Sequence, residues 1–150
     1  MLHLSADHLR SFIASAYRMV GISESDAQRI AELQTEADLR GADGHGVFRL
    51  PQYIRRINSG GVNVAPNIRI ERQTGAMALV DGDNGMGHLV MRFAAQTAIA
   101  KARQSGVAWV GVRMSNHAGP ASLYATMPLA EGMIGLYFAV NGQVMGRKLP

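Results

Sequence analysis

Cysteine is absent from all 150 residues. That absence excludes a disulfide framework, a thiolate nucleophile and any thiolate-held zinc or iron–sulfur site, and it fits a reducing compartment. Long apolar runs are missing as well. Every one is broken well short of the ~20 residues a spanning helix needs, so no membrane partner is expected. Met1-Leu2-His3-Leu4-Ser5 lacks the basic region and apolar core of a secretory signal, which makes the cytoplasm the expected location. A basic run interleaved with aromatics is lacking too. The 15 Lys+Arg against 11 Asp+Glu give +4, yet only Arg55-Arg56 are adjacent, so nothing tracks a phosphate backbone. The charge reads as a mildly basic surface that suits anionic small molecules, with no nucleic-acid partner.

What is present describes a folded chain. Hydrophobic residues make up 47% and charged residues 17%, enough for a core without disulfides or metal. The 17 glycines exceed the average of about 7% and lie between regular segments, so they mark tight turns.

Helical spacing dominates the first part of the chain. Ser5 caps a helix bearing Leu9, Phe12, Ile13, Ala16 and Tyr17, with Leu4 placed to staple onto Leu9 and Gly21 as the stop. Ser23 caps a second helix with Ala27, Ile30, Ala31, Gln34 and Ala37 on one stripe. Gly41 to Gly46 reads as a loop that lets backbone approach something closely, and a third helix spans Phe48 to Ile57 with Pro51 in its first turn.

From Val62 the pattern changes. Short strands are expected at Val62-Asn63-Val64 and Ile68-Arg69-Ile70, and a buried strand at Met77 to Val80. A turn follows at Asp81 to Gly85, a helix at Leu89 to Ser105, and a strand at Val107 to Val112. After a loop at Ser115 to Pro120 come a helix from Leu123 to Ala130 and a strand from Ile134 to Val140. The expectation is an α/β protein: a helical N-terminal module over residues 1–61, then an incomplete α/β domain over 62–150. The last strand would need neighbours, and Asn141 to Pro150 offer no cap, periodicity or second layer, so the chain is expected to be truncated.

Two histidines occupy glycine-flanked loops, where a scaffold presents side chains to a cleft. His45 lies between Gly44 and Gly46, with Arg49 one helical turn further on, so imidazole and guanidinium could share a pocket. A guanidinium forks onto a carboxylate, and an imidazole with a pKa near ~6.5 exchanges protons at neutral pH. That pairing suits acid–base chemistry on an organic acid. His117 follows a buried strand, where α/β sheets form ligand crevices. The alternatives are an imidazole bonded to a turn carbonyl and an Arg49 that is merely solvated. His3, His8 and His88 read as bland. Asp81 to His88 fits neither a calcium loop nor a glycine-rich phosphate loop, and no closely spaced histidine pair suggests a metal site.

The ordered clusters Asp38-Leu39-Arg40-Gly41, His45-Gly46 with Arg49 and Tyr53, Gly60-Gly61-Val62-Asn63, Asp81-Gly82 with Gly85 and Gly87, and Asn116-His117 with Gly119 and Tyr124 resemble the malate/L-lactate dehydrogenase family. This is a non-Rossmann family that includes ureidoglycolate and sulfolactate dehydrogenases. The likeness runs from the first helix to about Val140, after which the tail departs from the family as a broken reading frame would. It implies an oxidoreductase that moves a hydride between NAD or NADP and a 2-hydroxy or 2-oxo acid, or a related imine, as a cytoplasmic homodimer. It further implies His45 and His117 as catalytic residues, Arg49 at the substrate acid, and cofactor contacts at Asn116, His117 and Gly119. Most cofactor contacts are expected beyond the chain end. Gly44 stands where many relatives carry serine. A catalytically inactive interaction module is the alternative.

Overall fold

Serine caps start both N-terminal helices in the computed structural model, which describes residues 4–140. The Ser5 hydroxyl accepts from the His8 amide and opens α1 (Ala6–Met19), and Ser23 does the same for Asp26 at the head of α2 (Glu24–Leu39). Ile13, Ala14 and Tyr17 carry α1 into the core. Phe12 lies off that row and stays exposed, as does Leu4, so the expected staple is not buried. The α2 stripe falls as its spacing requires: Ala27, Ile30, Ala31, Gln34 and Ala37 are all buried. Gln34 is the polar member. It accepts from the Tyr17 hydroxyl at 2.9 Å and donates to the Gly46 carbonyl at 3.3 Å, so it pins the hairpin to the loop that follows.

That loop is not featureless. Single 3-10 turns form at Asp43–His45 and Val47–Arg49 and lead into α3 (Leu50–Asn58), where Pro51 occupies the first turn. Leu50, Tyr53 and Ile57 turn inward from α3. They complete a core with Ile13, Tyr17 and Ile30 that also takes in Val62, Met86 and Leu89 from the second part of the chain.

The sheet has three strands in the order β1 (Arg69–Gln73), β2 (Met77–Gly85) and β3 (Trp109–Ser115). β1 and β2 pair antiparallel. β2 and β3 run parallel, joined by α4 (Gly87–Ser105), which packs Val90 and Ala94 against Val80. A crossover helix is what a parallel pair demands.

Four expected elements differ. Val62 to Val64 is no strand, because the Asn63 amide bonds the Asn84 carbonyl and its side chain turns back to Ala65. Asp81 to Gly85, expected as a turn, continues β2 through an irregularity in the pairing with β3. Asp83 and Asn84 sit there at positive φ, 48° and 55°, a region Asp and Asn tolerate better than most residues. The Asp83 carboxylate holds the kink by accepting from Asn63 and from the Asn67 amide. The helix expected from Leu123 is split into α5 (Ser122–Ala125) and a 3-10 segment at Met127–Glu131, where Pro128 lacks the amide a longer helix would need.

The largest departure is at Ile134 to Val140, which forms no strand. The segment keeps strand-like alternation: Ile134, Leu136, Phe138 and Val140 are exposed while Tyr137 packs on Tyr124. A ladder needs repeated backbone hydrogen bonds, and among the described residues the segment makes none, although the Ala125 carbonyl stands against Gly135. The expectation for Asn141 to Pro150, like that for His3, lies outside the described residues.

Candidate active site

α3, the loop after β3 and the N-terminus of α4 converge on one cluster. His45, at the end of its 3-10 turn, stacks on His117 with ring centroids 5.6 Å apart and planes 20° apart. The Tyr53 hydroxyl lies 2.6 Å from Nδ1 of His117, and the Gly119 amide donates to the same nitrogen at 3.3 Å. An amide N–H can only donate, so Nδ1 carries a lone pair, the tyrosine donates as well, and the ring proton resides on Nε2. Burial holds the His117 imidazole below its ordinary pKa, and the nearby His45 and Arg49 charges push it the same way. Burial raises the Tyr53 phenol to about 12, against a smaller opposing pull from Arg49.

Local folding explains how His45 reaches this point. The Asp38 carboxylate accepts from the Val47 amide at 2.9 Å and fills the space where any side chain on Gly46 would stand. Only glycine lets the loop close down there. Burial raises the Asp38 pKa, with the Val47 bond opposing. Arg49 folds back: its Nε donates to the Gly44 carbonyl and its Nη1 to Gln52. That leaves Nη2 without a protein partner among the described residues.

Asn116 is fully engaged. Its oxygen accepts from Arg56 at 2.7 Å and its amide reaches the carbonyls of Asn84 and Gly85, clamping the loop after β3 onto the kink in β2. Gly87 completes the clamp, because a side chain there would collide with the carbonyls of Asn116 and His117.

Sequence reasoning missed His88. It is fully buried, neither ring nitrogen has a partner among the described residues, and its ring meets Tyr53 edge to face at 5.5 Å. A histidine one residue after Gly87 in a tight strand-to-helix turn was the available signal. Behind the histidines opens a cavity of about 1590 Å³, lined by α4, β3, His45, His117 and residues 132–140. Among the described residues no helix is long and apolar enough to cross a membrane.

The family model for malate/L-lactate dehydrogenase matches residues 4–146. The chain belongs to this family. The match passes Val140, so the tail departs from the family later than the sequence suggested. The malate dehydrogenase of Pyrococcus abyssi is 44% identical over 135 residues, 90% of this chain but 37% of that protein. The L-sulfolactate dehydrogenase of Methanocaldococcus jannaschii is 36% identical over 133 residues, 89% of this chain and 39% of its own. Among solved structures, malate dehydrogenase from Pyrococcus horikoshii OT3 superposes with a TM-score of 0.85 at 43% identity, covering 88% of this chain and 38% of that one. Δ1-piperideine-2-carboxylate reductase from Pseudomonas syringae gives 0.79 at 29%, covering 88% and 40%. This family member therefore spans about two fifths of the length of these relatives and matches their N-terminal part.

Proposed function

We propose that this chain carries the proton-transfer part of an NAD(P)-dependent dehydrogenase site for small 2-hydroxy or 2-oxo acids or related imines. The observation that carries the reading is the Tyr53–His117 hydrogen bond with His45 stacked on the same ring. With its proton on Nε2, His117 hydrogen-bonds the substrate oxygen; as that proton passes to the oxygen, Nδ1 takes the Tyr53 hydroxyl proton, so the ring stays neutral and the phenolate is reprotonated from solvent. His45, stacked on the same ring, holds the imidazole in place from its other face. The free Nη2 of Arg49 takes the substrate carboxylate. In the opposite direction Nε2 takes the hydroxyl proton as Nδ1 returns its own to the Tyr53 oxygen.

The nicotinamide, when bound, supplies or accepts the hydride. The residues present fit that end alone. His117, Ala118 and Gly119 border an apolar wall of small α4 and β3 side chains suited to a flat ring. Asn116, its side chain spent on protein partners, can offer only backbone. The fit does not extend to the diphosphate. Among the described cavity-lining residues Arg113 is the one guanidinium, and it is paired with Glu71 and Asp81. A second reading follows from this: the chain by itself is inactive and acts by packing on further polypeptide. A cytoplasmic homodimeric setting is proposed on the family resemblance, and segments 1–61 and 62–150 serve as the two walls of the cleft.

Turnover separates the readings. The chain is mixed with NADH or NADPH and the 2-oxo acids corresponding to malate, lactate and sulfolactate, and loss of reduced nicotinamide is followed. If it turns over, His117→Ala and His45→Ala each lower kcat by ~10² or more. No oxidation with any of these pairs eliminates activity of the chain by itself, as the second reading expects.

A further inference from the structure

Gln34 and Asp38 stand one turn apart on α2 and close on the same peptide group. The Gly46 carbonyl accepts from Nε2 of Gln34 at 3.3 Å, and the Val47 amide donates to Oδ2 of Asp38 at 2.9 Å. These are the two ends of the single peptide that joins Gly46 to Val47. A carbonyl can only accept and an amide N–H can only donate, so each end specifies its partner. The carboxamide of Gln34 therefore turns its nitrogen to Gly46 and its oxygen to Tyr17, whose buried hydroxyl donates at 2.9 Å. Residues spaced i, i+4 share one helix face, which is why both reach one peptide.

That peptide is the pivot of the loop bearing the site. Directly before it comes His45, stacked on His117. Its carbonyl also accepts from the Arg49 amide at 3.0 Å, the bond that closes the turn Val47–Arg49 ahead of α3. Arg49 in turn donates from Nε to the Gly44 carbonyl, on the far side of His45. Glycine at 46 offers no side chain to resist rotation about the adjoining bonds, so an unheld peptide here would turn over at little cost. Turning it over would present carbonyl for amide at both α2 partners and break the Arg49 turn. Gln34 opposes that strongly, because it is fully buried and an amide left unpaired there is costly.

We propose that Gln34 and Asp38 are positioning residues of the candidate site, holding the 46–47 peptide in the one orientation that sets His45 against His117 and aims Arg49. The inference deepens the proton-transfer reading and rests on it for the roles of His45 and Arg49. Both residues act through a backbone group rather than on the substrate. What position 38 must supply is therefore an oxygen acceptor of the right reach, charged or not, and what position 34 must supply is a donor. A swap at 38 that keeps the acceptor keeps the site, which sets this role apart from one of charge or of packing alone.

NMR of the isotope-labelled chain tests it on Asp38→Ala, on Asp38→Asn and on the double variant Tyr17→Phe/Gln34→Met, which removes both members of the buried pair so that neither is left unpaired. In Asp38→Ala the Val47 amide should exchange faster by roughly tenfold or more while the α4 amides keep their rates. In that variant and in the double variant the His45 ring resonances should move as the stack on His117 loosens. The 2-oxo acid analogue oxamate should bind both roughly tenfold more weakly, the effect of a misplaced binding group. Asp38→Asn, whose carboxamide oxygen still accepts, should stay close to wild type throughout. Unmoved His45 signals in either of the other two variants overturn the proposal. Equal losses in Asp38→Asn overturn it too, and so does an acceleration shared by the α4 amides, which would make the pair an ordinary support of the fold. A wild-type chain that ignores oxamate defeats the 2-oxo acid reading by itself, and the Val47 and His45 signals still decide the positioning.

Discussion

Burial drives the His88 imidazole down to about 3, so the folded protein holds this ring neutral where the unfolded chain, with a pKa near 6.5, takes up a proton. Stability is therefore complete above pH 6.5 and is lost as the pH falls from there toward 3. One such group costs about 2 kcal/mol between neutral pH and pH 5, and the lowered pKa of His117 acts in the same direction. Urea unfolding at pH 7.5 and pH 5 should show this loss. In His88→Phe, which keeps an aromatic edge against Tyr53, most of the difference should disappear. An unchanged pH dependence would place the burden on other groups. His45, Arg49 and His117 were legible in the sequence as residues flanked by glycine or spaced by one turn. His88 was not, because burial and the position of Tyr53 come from tertiary packing of α3 against α4, which no local pattern records.

At the scale of elements, the clamp at Gly87 carries the clearest prediction. Gly87→Ala places a methyl group where the carbonyls of Asn116 and His117 already stand. Overpacking of that kind costs about 1–3 kcal/mol, and here it also lifts His117 away from Tyr53. Thermal unfolding should register the loss, and the His117 ring resonance should move. A variant with wild-type stability and an unshifted His117 would show that the loop has slack. The capped helices and the α2 stripe were readable from spacing because their periodicity is local. The kink at Asp83 and Asn84 was not: a run of Asp, Gly and Asn reads as a turn, and it is distant partners, Asn63, Asn67 and Asn116, that keep the chain travelling along β2. Ile134 to Val140 shows the converse. Its alternation is that of a strand, but strand formation depends on a neighbour the sequence pattern does not contain.

For the molecule as a whole, the helical segment and the α/β segment are parts of one arrangement. Val62, Met86 and Leu89 share a core with the three N-terminal helices, and the cleft between them holds Tyr53 and His45 from one side and His117 from the other. Family membership agrees with this layout, and the chain spans about two fifths of the length of the relatives it matches. The central claim is narrower: this cleft binds a small 2-oxo acid between paired imidazoles and Arg49. The measurement that tests it most directly is the NMR response of the histidine rings to millimolar oxamate, an unreactive 2-oxo acid analogue. The account predicts that His45 and His117 resonances shift together and saturably, that Arg49→Lys weakens the response, and that fully buried His88 moves little. Rings that stay unmoved in the folded protein would contradict it.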